Sequence, residues 1–340
     1  MFNRYCLASC ALLCALSAVG QQPLIHVRVS LGDVSLNKVA FLIADDAGIY
    51  KKNGLEVEQL ITPFAAEAVR RNGVTVPKRY VRPNSQEEPQ EIFIGGGAPI
   101  IMGMLRSGRP LDRVILATTD NEIRWKIVAR PGIATIDQLK GKRLGFSGQG
   151  TVSHFMALAF LQKMGWSADK DISLVPNSLS IDALKEGRAD AVLADEIVQA
   201  LAPAAGFNAV VDLLPYHIPI PGSGVVASRE WLKDNRDAAK RFMKATVEAI
   251  ALMKQDSKVS AAAMEKWFGI TDPGKQHEVW LQSAVLPRKP YPSVPGIRKL
   301  FELYREAQKS KYKPEEFYDD SFIKELDESG YIDRLYASSK

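Results

Sequence analysis

The spacing of apolar positions switches between a period of two and a period of just under four, and the switches recur in a fixed order. Residues 25–31 (Ile-His-Val-Arg-Val-Ser-Leu) alternate apolar and polar side chains, which predicts a strand. Residues 38–52 then place Val39, Leu42, Ile43, Ala47 and Tyr50 on one helical face, and Asn53-Gly54 ends that helix. Residues 55–60 read as a second strand, so the opening is a βαβ unit. A short helix over 64–72 follows, then an excursion over 74–91 rich in Pro, charge and amide, which predicts an exposed segment. Residues 92–94 read as a buried strand, Gly95 to Ala98 as a glycine loop, 100–106 as a helix and 114–118 as a strand closed by Thr119-Asp120-Asn121.

A second series starts after an extended run over 123–129. It predicts a strand over 144–146, a glycine-rich loop over 147–150 and a helix over 152–164 stopped by Gly165. Thr151 or Ser153 is placed to cap that helix. A strand over 172–175, a helix over 181–186, a strand over 191–193 and a helix over 198–205 complete the series. Another extended run covers 225–227, and everything beyond is helical. Two α/β lobes joined by extended runs near 121–130 and 221–230 predict a hinged cleft. In open parallel sheets a ligand lies at the carboxyl ends of the strands, where these polar and glycine loops fall. The division is a signal segment over 1–20, a first lobe over 21–122, a second over 123–224, and a return to the first lobe with C-terminal helices over 225–340.

A length of 340 residues suits two domains, and 46% hydrophobic with 24% charged residues is ordinary for a globular chain. The net charge of +5 is mild and no Lys/Arg cluster is interleaved with aromatics, so nucleic acid is not an expected partner. Arg4, the apolar residues 6–19 and the small-residue site Ala18-Val19-Gly20 read as a secretory signal peptide. Leu7-Ala8-Ser9-Cys10 has lipobox character, the competing lipoprotein reading, but the apolar run before Cys10 is short. Cys6, Cys10 and Cys14 all lie inside this segment, so the exported chain has no thiol for disulfides, catalysis or metal binding. A periplasmic or extracytoplasmic, soluble product is expected.

Familiar catalytic patterns fail one by one. Gly148-Gln149-Gly150 begins a G-x-G-x-x-G, but Ser153 stands at the third glycine and Pro176-Asn177 replaces the acid of the next strand. Gly141-Lys142-Arg143 lacks the Ser/Thr of a phosphate loop, and Gly145-Phe146-Ser147-Gly148-Gln149 lacks the last glycine of a nucleophile elbow. The four histidines are scattered without metal-ligand spacing. No catalytic residues, metal or cofactor are therefore expected. His154 reads as a ligand contact or as a surface histidine at a helix start. Asp195 reads as an acceptor for a ligand donor or as a solvated loop acid. Asn37 and Lys38 read as cleft contacts or as a cap and a solvated cation. Trp125, at the hinge, reads as core or as a stacking platform.

Four stretches together resemble one family. Residues 44–57 (Ala-Asp-Asp-Ala-Gly-Ile-Tyr-Lys-Lys-Asn-Gly-Leu-Glu-Val), 137–145 (Asp-Gln-Leu-Lys-Gly-Lys-Arg-Leu-Gly), 183–191 (Ala-Leu-Lys-Glu-Gly-Arg-Ala-Asp-Ala) and 228–235 (Ser-Arg-Glu-Trp-Leu-Lys-Asp-Asn) are similar to motifs of the nitrate/sulfonate/taurine-type periplasmic substrate-binding proteins of ABC transporters. Those proteins share their fold with thiamine-pyrimidine-precursor binding proteins. The resemblance implies an α/β, two-lobed periplasmic-binding-protein fold of the second class, each lobe a mostly parallel sheet flanked by helices. It implies a monomeric, non-enzymatic receptor for a small polar solute or anion, serving a membrane permease and, through it, a cytoplasmic ATPase. Its ligand loops fall on Asn37 with Lys38, on Gly96, Gly97 and Ala98, on Asn121, on Ser147, on Thr151 with Ser153, and on Asp195. Trp125 and His154 join them from the residue reading. The polar stretch over 74–91 departs from the family's compact pattern. Two other functions stay open: an enzyme like the thiamine-pyrimidine synthases, which use histidine and cysteine chemistry, and a sensor subunit for a membrane kinase.

Overall fold

The computed structural model describes residues 23–337 except 72, 82–89, 109 and 284–285. The expected signal segment with its cysteines, and residues 82–89 of the polar stretch over 74–91, lie outside the described residues.

The chain opens with β1 (Ile25–Leu31), α1 (Val39–Asp46), α2 (Ile49–Lys52), β2 (Leu55–Ile61), α3 (Pro63–Arg71), β3 (Ile92–Gly96), α4 (Gly97–Ser107) and β4 (Arg113–Thr118). A second run comprises β5 (Lys126–Ala129), β6 (Arg143–Gly145), α5 (Val152–Met164), β7 (Ser173–Val175), α6 (Ile181–Lys185), β8 (Ala191–Ala194), α7 (Glu196–Leu201) and β9 (Asn208–Asp212). After β10 (Ser223–Ser228) come α8 (Arg229–Asp234), α9 (Arg236–Gln255), α10 (Ser257–Phe268), α11 (Pro273–Ser283), α12 (Val294–Leu303), α13 (Arg305–Gln308), α14 (Ser321–Glu328) and α15 (Tyr331–Ala337). Local chemistry accounts for the best-defined boundaries. The Thr151 hydroxyl accepts from the His154 N–H at the start of α5, and Gly165 takes a left-handed turn at its end.

The strands form two five-stranded sheets, ordered β2-β1-β3-β10-β4 and β7-β6-β8-β5-β9. In each, four strands share a direction and one opposes it: β10 runs against β3 and β4, and β5 against β8 and β9. The opposing strand is the one that arrives across the junction between the sheets. The two connecting segments, residues 119–125 and 213–222, lie side by side. Ile123 N–H donates to the Ile218 carbonyl at 2.9 Å and Ile220 N–H to the Asn121 carbonyl at 3.1 Å. The junction thus precedes the expected runs near 121–130 and 221–230, whose later residues are strands within the sheets.

Three differences from the expected elements have physical reasons. The helix expected over 38–52 is broken at Ala47–Gly48, where Gly48 turns left-handed. β9 went unpredicted because it is an edge strand with mostly accessible residues and no apolar alternation. The stretch after α3 is not wholly exposed: Val74, Val76 and Tyr80 are buried, and Tyr80 meets the Trp267 ring edge-on at 5.0 Å.

One apolar cluster fills the face of the first sheet under α1, α9, α10, α14 and α15. A second does not respect the division between sheets. It runs from Ile115 and Val226 of the first sheet through Ile101 and Met102 of α4 to Leu144, Phe155 and Phe160 of the second half, with Ile297 and Leu300 of α12. A smaller cluster of Val128, Ala183, Leu184, Val192 and Ala202 lies under α6 and α7.

Candidate functional site

The carboxyl edge of the first sheet carries a connected polar network. The Ser35 hydroxyl lies 2.6 Å from Asp33 Oδ1 and 2.7 Å from Asn37 Oδ1. Asn37 Nδ2 donates to Asp120 Oδ2 at 3.1 Å, and the Asn37 carbonyl accepts from the Thr119 hydroxyl at 2.6 Å. Asp120 also receives Arg124 Nε at 3.2 Å, with both side chains under a tenth exposed. Lys38 is buried, not solvated, and its ammonium pairs with Asp33. Burial opposes the charge on Asp33, but the Lys38 ammonium and hydrogen bonds from Lys38 and Ser35 outweigh it and hold the carboxyl below its usual range.

Five expected contact residues are engaged by the junction itself. Gly96 pairs with Ser223 in the sheet, while Gly97 N–H donates to the Gly222 carbonyl at 2.8 Å and Ala98 N–H to the Pro221 carbonyl at 3.1 Å. The start of α4 therefore offers its first N–H groups to the second crossover instead of to a guest. The Asn121 side-chain oxygen faces the Thr118 hydroxyl, and its carbonyl accepts from Ile220. Trp125 packs, half-buried, in the second apolar cluster, and its carbonyl accepts from Leu213 N–H.

On the second half, Ser147, Thr151 and Ser153 converge. Ser147 Oγ lies 2.6 Å from Ser153 Oγ and 2.9 Å from Thr151 Oγ1, and Ser147 N–H donates to Ser153 Oγ at 2.9 Å. Thr151 Oγ1 in turn donates to the Gly148 carbonyl at 2.6 Å. Asp195 caps α7, accepting the Val198 N–H at 2.8 Å. His154 is neither exposed nor at the surface of its helix. It is 7% exposed, stacked on Phe146 and edge-on to Tyr304. Its Nδ1 lies 3.1 Å from the Gly150 N–H and 3.0 Å from the Tyr304 hydroxyl, so a neutral ring accepts at Nδ1. Burial, and then the nearby Arg106, lower its pKa. The two walls touch: Gly96 lies against the Val152 side chain and Gly150 against the Arg106 guanidinium.

Asp120 and Arg124 were not among the expected contacts. Their i, i+4 spacing at a strand end was visible, but only the folded junction brings Asp120 onto Asn37 and Arg124 onto Asp120. Lys254 of α9 was missed as well. Its ammonium donates to the Leu286 carbonyl at 2.6 Å, and burial, then Arg288 and Arg124, bring its pKa down to about 8. Among the described residues no group of three His, Cys, Asp or Glu is placed to hold a metal ion. The hydroxyls bond to one another and to the Gly148 carbonyl, and His154 Nδ1 faces Gly150 and Tyr304. These side chains can surround a polar molecule with donors and acceptors from two sides.

A model of the family described as NMT1/THI5 like matches residues 98–258. No curated protein sequence matches this chain. Among solved structures, the periplasmic nitrate-binding protein NrtA from Synechocystis PCC 6803 is 15% identical with a TM-score of 0.68, over 90% of this chain and 89% of that one. The periplasmic aliphatic sulphonate binding protein SsuA from Escherichia coli is 17% identical with a TM-score of 0.65, over 88% and 99%. The desulfurization enzyme DSZB is 15% identical with a TM-score of 0.56, over 89% and 99%. The fold of this chain is thus that of the two-lobed periplasmic binding proteins: two mixed sheets flanked by helices. No described helix is long and apolar enough to cross a membrane.

Proposed function

We propose that the protein is an extracytoplasmic solute-binding component of an ABC importer. It captures a small polar solute between its two halves and presents it to a membrane permease, without catalysing a reaction. The observation that carries this reading is the polar network of Asn37, Asp120 and Arg124, set where the paired crossovers leave the first sheet, together with the hydroxyl cluster of Ser147, Thr151 and Ser153 on the second half. A ligand bonded to both walls would hold the halves together, which couples binding to closure. The buried cations Lys38 and Arg124 each stand beside a carboxylate. That favours a solute with both acceptor and donor groups, such as an aminosulfonate, over a bare anion. The likeness to nitrate- and sulphonate-binding proteins supports the same class.

The lobe boundaries at 122/123 and 224/225 are part of this proposal. The first falls between β4 and β5, and the second inside β10. Export, a periplasmic location and a monomeric state belong to it as well. The likeness to a desulfurization enzyme favours a catalytic second reading. Against it stand the occupied Nδ1 of His154 and the absence of cysteine beyond residue 14.

A thermal-shift screen of the purified protein against sulfonates, nitrate, carboxylates, pyrimidines and amines tests the proposal. A true ligand at about a hundred times its Kd adds roughly 2.7 kcal/mol and raises the melting temperature. Thr151→Ala with Ser153→Ala should weaken that ligand about tenfold or more, in line with lost hydrogen bonds of about 1–3 kcal/mol. A screen without any shift, or turnover of a compound in the panel, would sink the receptor reading.

A further inference from the structure

The glycine loop before α5 is anchored on a buried nitrogen. Gly150 takes a left-handed turn, with φ +78°, and its N–H donates to His154 Nδ1 at 3.1 Å. A Cβ on Gly150 would lie 2.8 Å from an Arg106 nitrogen, so the α4 guanidinium packs directly against this turn. The hydroxyl of Tyr304, between α12 and α13, reaches the same Nδ1 at 3.0 Å. The next residue in the loop, Thr151, caps α5 and joins the Ser147 and Ser153 hydroxyls. One lone pair of His154 therefore holds both the loop that carries these hydroxyls and the corner between α12 and α13.

We infer that His154 is the positioning residue of this loop and makes its geometry acid-labile, because protonation at Nδ1 removes the acceptor of the Gly150 N–H. The two donors on Nδ1 answer protonation differently. A hydroxyl can turn and accept, so Tyr304 keeps its contact by receiving the Nδ1 proton. Burial pushes the Tyr304 phenol up, which keeps it a hydroxyl throughout. A backbone N–H only donates, so the break falls on Gly150. Around the ring, Phe146 stacks at 5.0 Å and offers no charge. The charged groups that face it are Arg106 of α4, which opposes protonation, and Glu306 of α13, which favours it but is paired with Arg106 at 3.2 Å. Burial and Arg106 prevail, so the step falls below the ordinary 6.5. Its bearing on a solute rests on the receptor reading: a guest held by Thr151 and Ser153 would be gripped at neutral pH and released in acid.

Proton–nitrogen correlation spectra and amide hydrogen exchange of the unliganded protein, followed from about pH 7.5 to about pH 5, test this. Across the titration of the His154 ring, the protection of the Gly150 amide should fall roughly tenfold, about the worth of one hydrogen bond. Ala183 is the reference amide, since its N–H is held at 3.1 Å by Ser180 Oγ, a hydroxyl that does not titrate. His154→Gln should abolish the step at Gly150. Tyr304→Phe should leave it in place, because the Gly150 bond does not pass through the phenol. A ring that stays neutral throughout, Gly150 protection that stays constant while the ring titrates, or a fall shared by Ala183 overturns the inference. So does a step that survives in His154→Gln or is lost in Tyr304→Phe. The titration of the parent protein decides the question even where a variant fails to fold. No solute is present, so a negative result here is separate from failure of the receptor reading, which the thermal-shift screen decides.

Discussion

His154 shows how a residue's role depends on partners far away in sequence. Its position after a glycine loop suits a ligand contact or a surface histidine, and neither reading includes Tyr304, which is 150 residues distant. The folded ring is buried between Phe146 and Tyr304 with Nδ1 engaged as an acceptor, so protonation there would oppose two hydrogen bonds. The consequence for pH follows from linkage. The folded pKa lies below the ordinary value of 6.5, so below that pH the unfolded chain binds more protons than the folded one. The stability that His154 contributes is complete above about 6.5 and falls as the pH drops toward the folded pKa. Chemical denaturation between neutral and mildly acid pH should show that loss, and His154→Gln should flatten it. A variant with the same slope as the parent would remove His154 from the balance. By contrast, the capping role of Thr151 was legible, because a hydroxyl just before an apolar run needs only the local N–H groups.

At the scale of elements, the central strands and α5 were readable from periodicity, because their buried faces repeat within a few residues. The junction was not, since it is made by close backbone approaches between distant segments. A Cβ on Gly222 would fall 1.7 Å from the Asp120 carbonyl oxygen, joining the two crossovers. One on Gly296 would fall 2.0 Å from the Ile220 carbonyl, where α12 braces the second crossover. Backbone cannot swing aside as a flexible side chain does. Gly222→Ala should therefore cost about 2–3 kcal/mol, the upper range of overpacking. Gly103 offers the matched control, since it sits within α4 with nothing near its missing Cβ. Gly103→Ala should stabilise by roughly 0.5–1 kcal/mol through helix propensity. Urea denaturation of the two variants checks both signs. Similar stabilities for them would mean that the crossovers are not tightly apposed.

For the whole molecule, the two-lobed plan was legible from the repeated strand–loop–helix order, but the asymmetry of its junction was not. The second apolar cluster is shared by α4, α5 and α12, and the Arg106–Glu306 pair at 3.2 Å links α4 with α13 on the same side. Opening the halves there would expose buried apolar surface, at about 25 cal/mol per Å2. Between α7 and α11 lies a cavity instead, and Leu201 of α7 and Leu281 of α11 are exposed. Relative motion of the halves should therefore pivot on the α4–α5–α12 side and widen on the α7–α11 side. All three cysteines lie within residues 6–14, so in a protein expressed without residues 1–20 spin labels can be placed in pairs without background. In the unliganded protein, labels at Leu201→Cys and Leu281→Cys should give a broad distance distribution by double electron–electron resonance. Labels at Ser107→Cys and Gln162→Cys, on α4 and α5, should give a narrow one. A ligand that bridges the halves should narrow the first distribution and leave the second in place. Equal breadth at both pairs would show that the shared core does not act as the pivot.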